Sequence, residues 1–290
     1  MRAVLATPGL RRAAYFEVAG CRLHGMLDLP PAEAVPRSVG IVMLHSDDGC
    51  RLGPHGLWVR LAERLRGEGF PCLRFDYRGC GDSEGPEGPP TGDAGVTDTL
   101  AAETFVRQQT GVMKTLLIGI CFGAEVALLA SRCLPTTIGV VACSTGRYIS
   151  TAGSSKTLEY VTDYARSYAR KLLMTASWRK LVRGQVSGRA ILDGFVDRLR
   201  PAARRRDRAA AVRAQHLVAG NDHCSPSLFI YGSRDPLAAR YMPGYQEEAA
   251  VGGFRRSFCT IQGADHNFSS LRWSQELIDA SMDFVASCSS

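Results

Sequence analysis

Cys121, Asp235 and His266 could together move an acyl group. Cys121 lies in Gly119-Ile120-Cys121-Phe122-Gly123, where a strand-type run, "TLLIGI", turns into a helix-type run, "AEVALLA". A strand, a tight turn and a helix in that order make a nucleophile elbow. The nucleophile sits on a strained turn, so the residues two before and two after it must be small enough for helix and strand to approach. Gly119 and Gly123 meet that need, and Ala124 and Ala127 keep the helix face small. The turn also aims backbone N–H groups at a reacting carbonyl, with the new helix's dipole behind them. The Phe122 N–H is the first expected oxyanion donor.

A nucleophile of this kind needs a base, and the base needs an orienting carboxylate. In chain order the acid follows the nucleophile and the histidine comes last, each on a loop beyond a strand. "LFIYGSRDPLA" places Asp235 just past one strand pattern, and "CTIQGADHNFSS" places His266 just past the next. Asp265 reads as a loop residue, and Asp222 precedes the strand it would have to follow. The second oxyanion donor is expected from the loop after "IVMLH", as the backbone N–H of Ser46 or Asp47. His24 and His55 carry no assigned role. The ten cysteines are scattered and form no C-x-x-C pair, so neither a zinc ribbon nor a redox dithiol is indicated. Most of them read as small buried hydrophobes in a reducing compartment. No metal or dissociable redox cofactor is expected.

The elements that must position these residues alternate between strand and helix patterns, the order that builds a mainly parallel sheet. "AAYFEV" and "RLHGMLDL" read as a hairpin around Ala19-Gly20. Strands follow at 38–45, in "PCLRFDY" and in "KTLLIGI", then at 137–144, 227–233 and 256–262, those at 38–45 and 137–144 reading as buried. Helices are expected in "HGLWVRLAERLRGEGF", at about 96–108 and at about 270–286. Between the strands at 137–144 and 227–233 the alternation stops for an amphipathic, basic helical segment. Residues 151–215 hold fifteen Lys or Arg against five Asp or Glu, in a chain whose net charge is +7. The spacing predicts a core over 1–148 and 224–290, interrupted by a helical cap at 149–223. Arg204, Arg205 and Arg206 are its densest charge cluster and a candidate docking patch for an acidic carrier protein or for the phosphates of CoA. No nucleic-acid-binding signature accompanies the charge. No run approaches the roughly 20 apolar residues of a membrane span, and the apolar run near the N-terminus is short of the roughly 7–15 of a secretory h-region. A soluble, cytoplasmic protein is expected.

Taken together, the chain resembles an α/β-hydrolase over essentially its full length. "LRFDYRGCGDSEG" matches the loop that superfamily carries after its fourth strand. "RLGPHGLWVRLAERLRGEGFPCLRFDYRGCGDSEG", "GICFGAEVALLA", "SWRKLVRGQVS" and "GADHNFSS" are similar to exosortase-associated hydrolases, which also place cysteine at the elbow. Cysteine-elbow acyltransferases and aminoacyl shuttles of natural-product pathways are similar too, and collect acyl groups from carrier-protein thioesters. Dienelactone hydrolases share a Cys-Asp-His triad, but they have Gly-Gly after the turn, where this chain has Gly123-Ala124, and lack so large an insert. "HSDDGC" departs from the usual His-Gly or Gly-Gly oxyanion loop. The resemblance implies an α/β-hydrolase fold with a mostly parallel eight-stranded sheet, helices on both faces and a helical cap.

A thiol at the elbow bears on the chemistry. Thiolate is the reactive form, and a nearby imidazole and helix N-terminus favour it. Transfer from a thioester onto Cys121 exchanges one thioester for another and keeps the acyl group activated. The expected function is therefore acyl transfer from a carrier-protein or CoA thioester to an amine, hydroxyl or thiol acceptor. Phosphopantetheine or CoA would enter as part of the substrate. A thioesterase or esterase using the same triad is the alternative, and a non-catalytic scaffold is the rival of another class.

Overall fold

Alternating side chains at the N-terminus close a hairpin first. In this computed structural model, residues 11–86, 90, 92–146, 225–252 and 254–290 are described. The expected cap at 149–223, with Arg204, Arg205 and Arg206, lies outside them. Strands β1 (Arg11–Val18) and β2 (Cys21–Asp28) pair antiparallel. Ala19 and Gly20 both take positive φ, 50° and 77°, the backbone that matches the twist of a two-residue hairpin.

The remaining strands are β3 (Val39–Leu44), β4 (Cys72–Phe75), β5 (Lys114–Ile120), β6 (Thr137–Cys143), β7 (Ser227–Gly232) and β8 (Arg256–Ile261). They form one eight-stranded sheet in the order β1-β2-β4-β3-β5-β6-β7-β8. β2 meets β4 antiparallel, and every pairing from β4 to β8 is parallel. The helices are α1 (Leu57–Gly67), α2 (Gly92–Thr110), α3 (Phe122–Cys133), α4 (Pro236–Gly252) and α5 (Leu271–Ser289). Successive residues of a strand point to opposite faces, and the core divides accordingly. Val42, Leu44, Phe229 and Tyr231 pack with α2, α3 and α4, while Ile41, Met43, Leu228 and Ile230 pack with α1 and α5. Covering both faces explains why β3 and β7 are continuous apolar runs without polar alternation.

Two differences from the sequence expectation stand out. α2 begins at Gly92, ahead of the expected 96, and a whole helix, α4, follows Asp235 where no helix was expected. Pro243 inside α4 masks the helical pattern. The sheet also fixes where chemistry can occur. β4 lies on one side of β3 and β5 on the other, so growth reverses between β3 and β5. The crevice beyond the strand ends at such a switch point is where open α/β sheets place ligands.

Candidate active site

Cys121 stands at that reversal, directly after β5 and as the N-cap of α3. Its backbone is strained, with φ 54° and ψ −118°, a conformation costing about 1–3 kcal/mol in a non-glycine residue. The surroundings impose it. Cys121 N–H donates to the Cys143 carbonyl at 2.9 Å, extending the β5–β6 pairing by one residue, while its own carbonyl accepts from Ala124 and Glu125 to start the helix. A Cβ on Gly119 would strike the backbone of Gly123 and Ala124, and one on Gly123 would strike the carbonyls of Leu44 and His45. Both glycines are therefore required by close backbone approach, as the motif predicts. The side chain is half-buried, unlike an ordinary core thiol such as Cys143.

The acid and base arrive on neighbouring loops. Asp235 ends the turn after β7 and caps α4: its buried carboxylate accepts Leu237 N–H at 3.0 Å through Oδ1, with Pro236 at the first helical position. Its Oδ2 lies 3.0 Å from His266 Nδ1. The thiol of Cys121 is close enough to act on the charge of His266, so the three predicted residues meet at one site. Gly232 lets the two loops cross, since a Cβ there would strike the carbonyls of Ala264 and Asp265. Asp265 folds the histidine loop, accepting from the backbone of Asn267 at 3.2 Å and of Ser269 at 3.0 Å. Burial alone would lower the pKa of His266. Hydrogen bonds to Asp235 and Cys121, and the charges of both groups, outweigh it and raise the value to about 10.

The loop leaving β3 borders the elbow, with the His45 carbonyl against Gly123. His45 Nδ1 lies 2.6 Å from the Ser46 carbonyl, which also accepts Gly49 N–H at 3.0 Å. Burial lowers the pKa of His45 despite that carbonyl and the charges of Asp76 and Asp48, so the ring is neutral. Sequence reasoning gave this histidine no role beyond the loop; its signal is position, as the last residue of a fully buried run.

The loop "DYRGCGDSEG" after β4 is tied to the β3 loop through Asp76, a fully buried carboxylate. It accepts Arg51 N–H at 2.6 Å, pairs with the Arg51 guanidinium and accepts Asp82 N–H at 3.2 Å. Arg78 pairs with buried Asp98 of α2 at 2.6 Å. His24, Asp76 and Asp82 come close enough together to suggest a metal site, but Arg51 bonds both carboxylates and already supplies their counter-charge. Among the described residues no helix is long and apolar enough to cross a membrane.

An eight-stranded mixed sheet with an elbow after β5 and an acid and histidine after β7 and β8 defines an α/β-hydrolase. Residues 41–280 match the alpha/beta hydrolase family, and the chain belongs to it. Among particular relatives, human Protein ABHD12B is 34% identical over 94 residues, 32% of this chain and 25% of that protein. The lysophosphatidylserine lipase ABHD12 of Danio rerio is 34% identical over 87 residues, 30% of this chain and 22% of that one. These matches span about a quarter of the curated relatives. An esterase of Pyrococcus furiosus superposes with a TM-score of 0.64 at 17% identity, covering 97% of this chain and 94% of its own. At that identity the likeness is one of fold.

Proposed function

We propose that this protein forms an acyl-enzyme on Cys121 and releases the acyl group to water, as an esterase or thioesterase. The observation that carries the reading is the relay of Asp235, His266 and Cys121 at the strained turn. Asp235 accepts from Nδ1 of His266 and leaves the other ring nitrogen for the cysteine proton. The sulfur attacks the carbonyl carbon, and the resulting oxyanion accepts Phe122 N–H. Collapse of this intermediate expels an alcohol or thiol, which takes a proton from His266. His266 then takes a proton from water, the hydroxide attacks the acyl carbon, and the acid leaves with Cys121 restored.

Of the two candidates for second donor, Asp47 is favoured over Ser46. In a trans peptide the N–H points opposite to the preceding carbonyl. The His45 carbonyl faces Gly123, so Ser46 N–H is directed away from the elbow. The Ser46 carbonyl turns back to the buried His45 ring, so Asp47 N–H is directed away from that ring. Hydrolysis is also the activity in the names of the lipase and esterase among the relatives.

A second reading has one specific observation behind it: the thiol at position 121. Acylation from a carrier-protein or CoA thioester conserves the activated acyl group, and an amine, hydroxyl or thiol could then accept it. In that case Arg204, Arg205 and Arg206 would receive the acidic donor, in a cytoplasmic natural-product pathway. Intact mass after incubation with a panel of acyl esters and thioesters tests both. An adduct absent from Cys121→Ala and released as free acid supports hydrolysis; an adduct that persists until an acceptor is added supports transfer. No adduct and no turnover with any donor would leave only a scaffold.

A further inference from the structure

We propose that a cleft at the foot of β7 and β8 binds a phosphoryl group, at the end of the sheet opposite Cys121. The cleft is lined by Arg132 in the last turn of α3, by Ser225 and Ser227 at the start of β7, by Tyr245 of α4, and by Phe254, Arg255 and Arg256 where the chain enters β8. Ser227 and Arg256 stand opposite each other as the first paired residues of those two strands. Parallel strands all begin at this end and all finish at the catalytic end, where Cys121, Asp235 and His266 stand. Arg132 lies about three turns further along α3 than Cys121, roughly 16 Å away. A ligand in the cleft would touch none of the triad, so the site is independent of the acyl-enzyme reading.

Three guanidiniums line this cleft and no carboxylate does. Arg256 is the fixed member. Its side chain is 7% exposed, and Nη1 donates to Glu248 at 2.7 Å and to the Tyr245 carbonyl at 3.3 Å. Its central carbon lies 4.9 Å from the ring centre of Phe254, 5.4 Å from that of Tyr245 and 5.9 Å from that of Phe229, a cage that holds the charge by cation–π attraction. Nε and Nη2 of Arg256 donate to none of the described residues, and among those residues neither Arg132 nor Arg255 makes an ion pair. Two positive charges therefore remain after Glu248 has offset one. The dipole of α3 accounts for a cation at Arg132, but Arg255 and Arg256 lie outside any helix. The hydroxyls of Ser131, Ser225 and Ser227 donate to the carbonyls of Leu128, Thr137 and Ser225, so the donors for a ligand are the guanidiniums. A phosphoryl group presents several oxygens to forked donors of this kind, and arginine pairs with it through two parallel N–H bonds. Leu128 and Phe254 add an apolar wall, against which the body of a small phosphate ester would pack.

Isothermal titration of the full chain with inorganic phosphate and with phenyl phosphate, at an ionic strength held constant with sodium chloride, tests this. Saturable binding of one phosphate per chain is expected. Arg132→Ala and Arg255→Ala should each weaken it about tenfold, the scale of one hydrogen bond to a charged group. Neither arginine is buried, so both variants are expected to fold, and their melting temperatures check that they do. Arg132→Lys keeps the charge but loses the fork, and should weaken binding as well. Arg272→Ala removes an exposed charge from the first turn of α5, just past the histidine loop, and should leave affinity unchanged. Phenyl phosphate binding more tightly than inorganic phosphate assigns the site to an ester whose body packs on Leu128 and Phe254; binding no more tightly assigns it to phosphate itself. No saturable binding of either probe would overturn the site. So would unchanged affinity in both Arg132→Ala and Arg255→Ala, or a loss in Arg272→Ala equal to theirs.

Discussion

The elbow and the acid–base arm are held by different physics. Around Cys121 the shape depends on missing atoms: Gly119 and Gly123 allow backbones to touch where any Cβ would collide. The arm carrying Asp235 and His266 joins two loops whose functional residues are 31 positions apart, and beyond the one close approach at Gly232 it relies on directional bonds. Ser233 N–H reaches Ile261 at 3.0 Å, Arg234 N–H reaches Ala264 at 2.9 Å, and Gly263 N–H reaches the Ser233 hydroxyl at 2.8 Å. A contiguous segment can specify its geometry by excluded volume. Two distant loops need bonds that select one register.

Substitutions can break that contrast. The largest effect is expected from Asp235→Asn, which leaves the fold in place but removes the carboxylate orienting His266. Acylation, followed by intact mass, should fall by as much as about 10⁴-fold, the scale for losing a triad acid. A loss below tenfold would mean the arm does not orient the base. Next is Gly123→Ala, whose methyl meets the Leu44 and His45 carbonyls. Overpacking of this kind costs about 1–3 kcal/mol, readable by urea denaturation, and a neutral result would contradict the close approach. Ser233→Ala removes one stitch of the arm at an exposed position, so its cost should fall near the low end of about 0.5–1.5 kcal/mol. If it equalled the Gly123→Ala loss, the two regions would not differ as described.

A further expected effect is one of pH. The folded value of His266 is raised to about 10 from about 6.5 when unfolded. Protonation of this ring therefore stabilises the native state fully below about pH 6.5, and that contribution is lost as pH rises through about 10. Melting temperatures of wild type and His266→Gln should accordingly converge between pH 7 and pH 10. A gap independent of pH would show that the imidazolium is not stabilised by its partners.

Much of this was legible in the chain because its signals are local. The elbow reads from nine consecutive residues, and Asp235 and His266 read from their places after apolar strand patterns. The hairpin follows from Ala19-Gly20 between alternating runs. What escaped is tertiary. The neighbours of β4 depend on packing between segments far apart in sequence. α4 was hidden because Asp235-Pro236 looks like a turn, when the aspartate caps a helix and the proline opens it. The contact of His45 with Tyr77 joins residues 32 positions apart, and no pattern within either segment announces it.

The strained backbone at Cys121 has a further consequence for replacement of its side chain. Its dihedral angles are dictated by the glycines on either side and by the bond to β6, and the cysteine side chain takes no part in them. Position 121 is thus a socket that accepts any small nucleophile without refolding. Replacing Cys121 by serine is therefore expected to change the chemistry at this point while the backbone stays as it is.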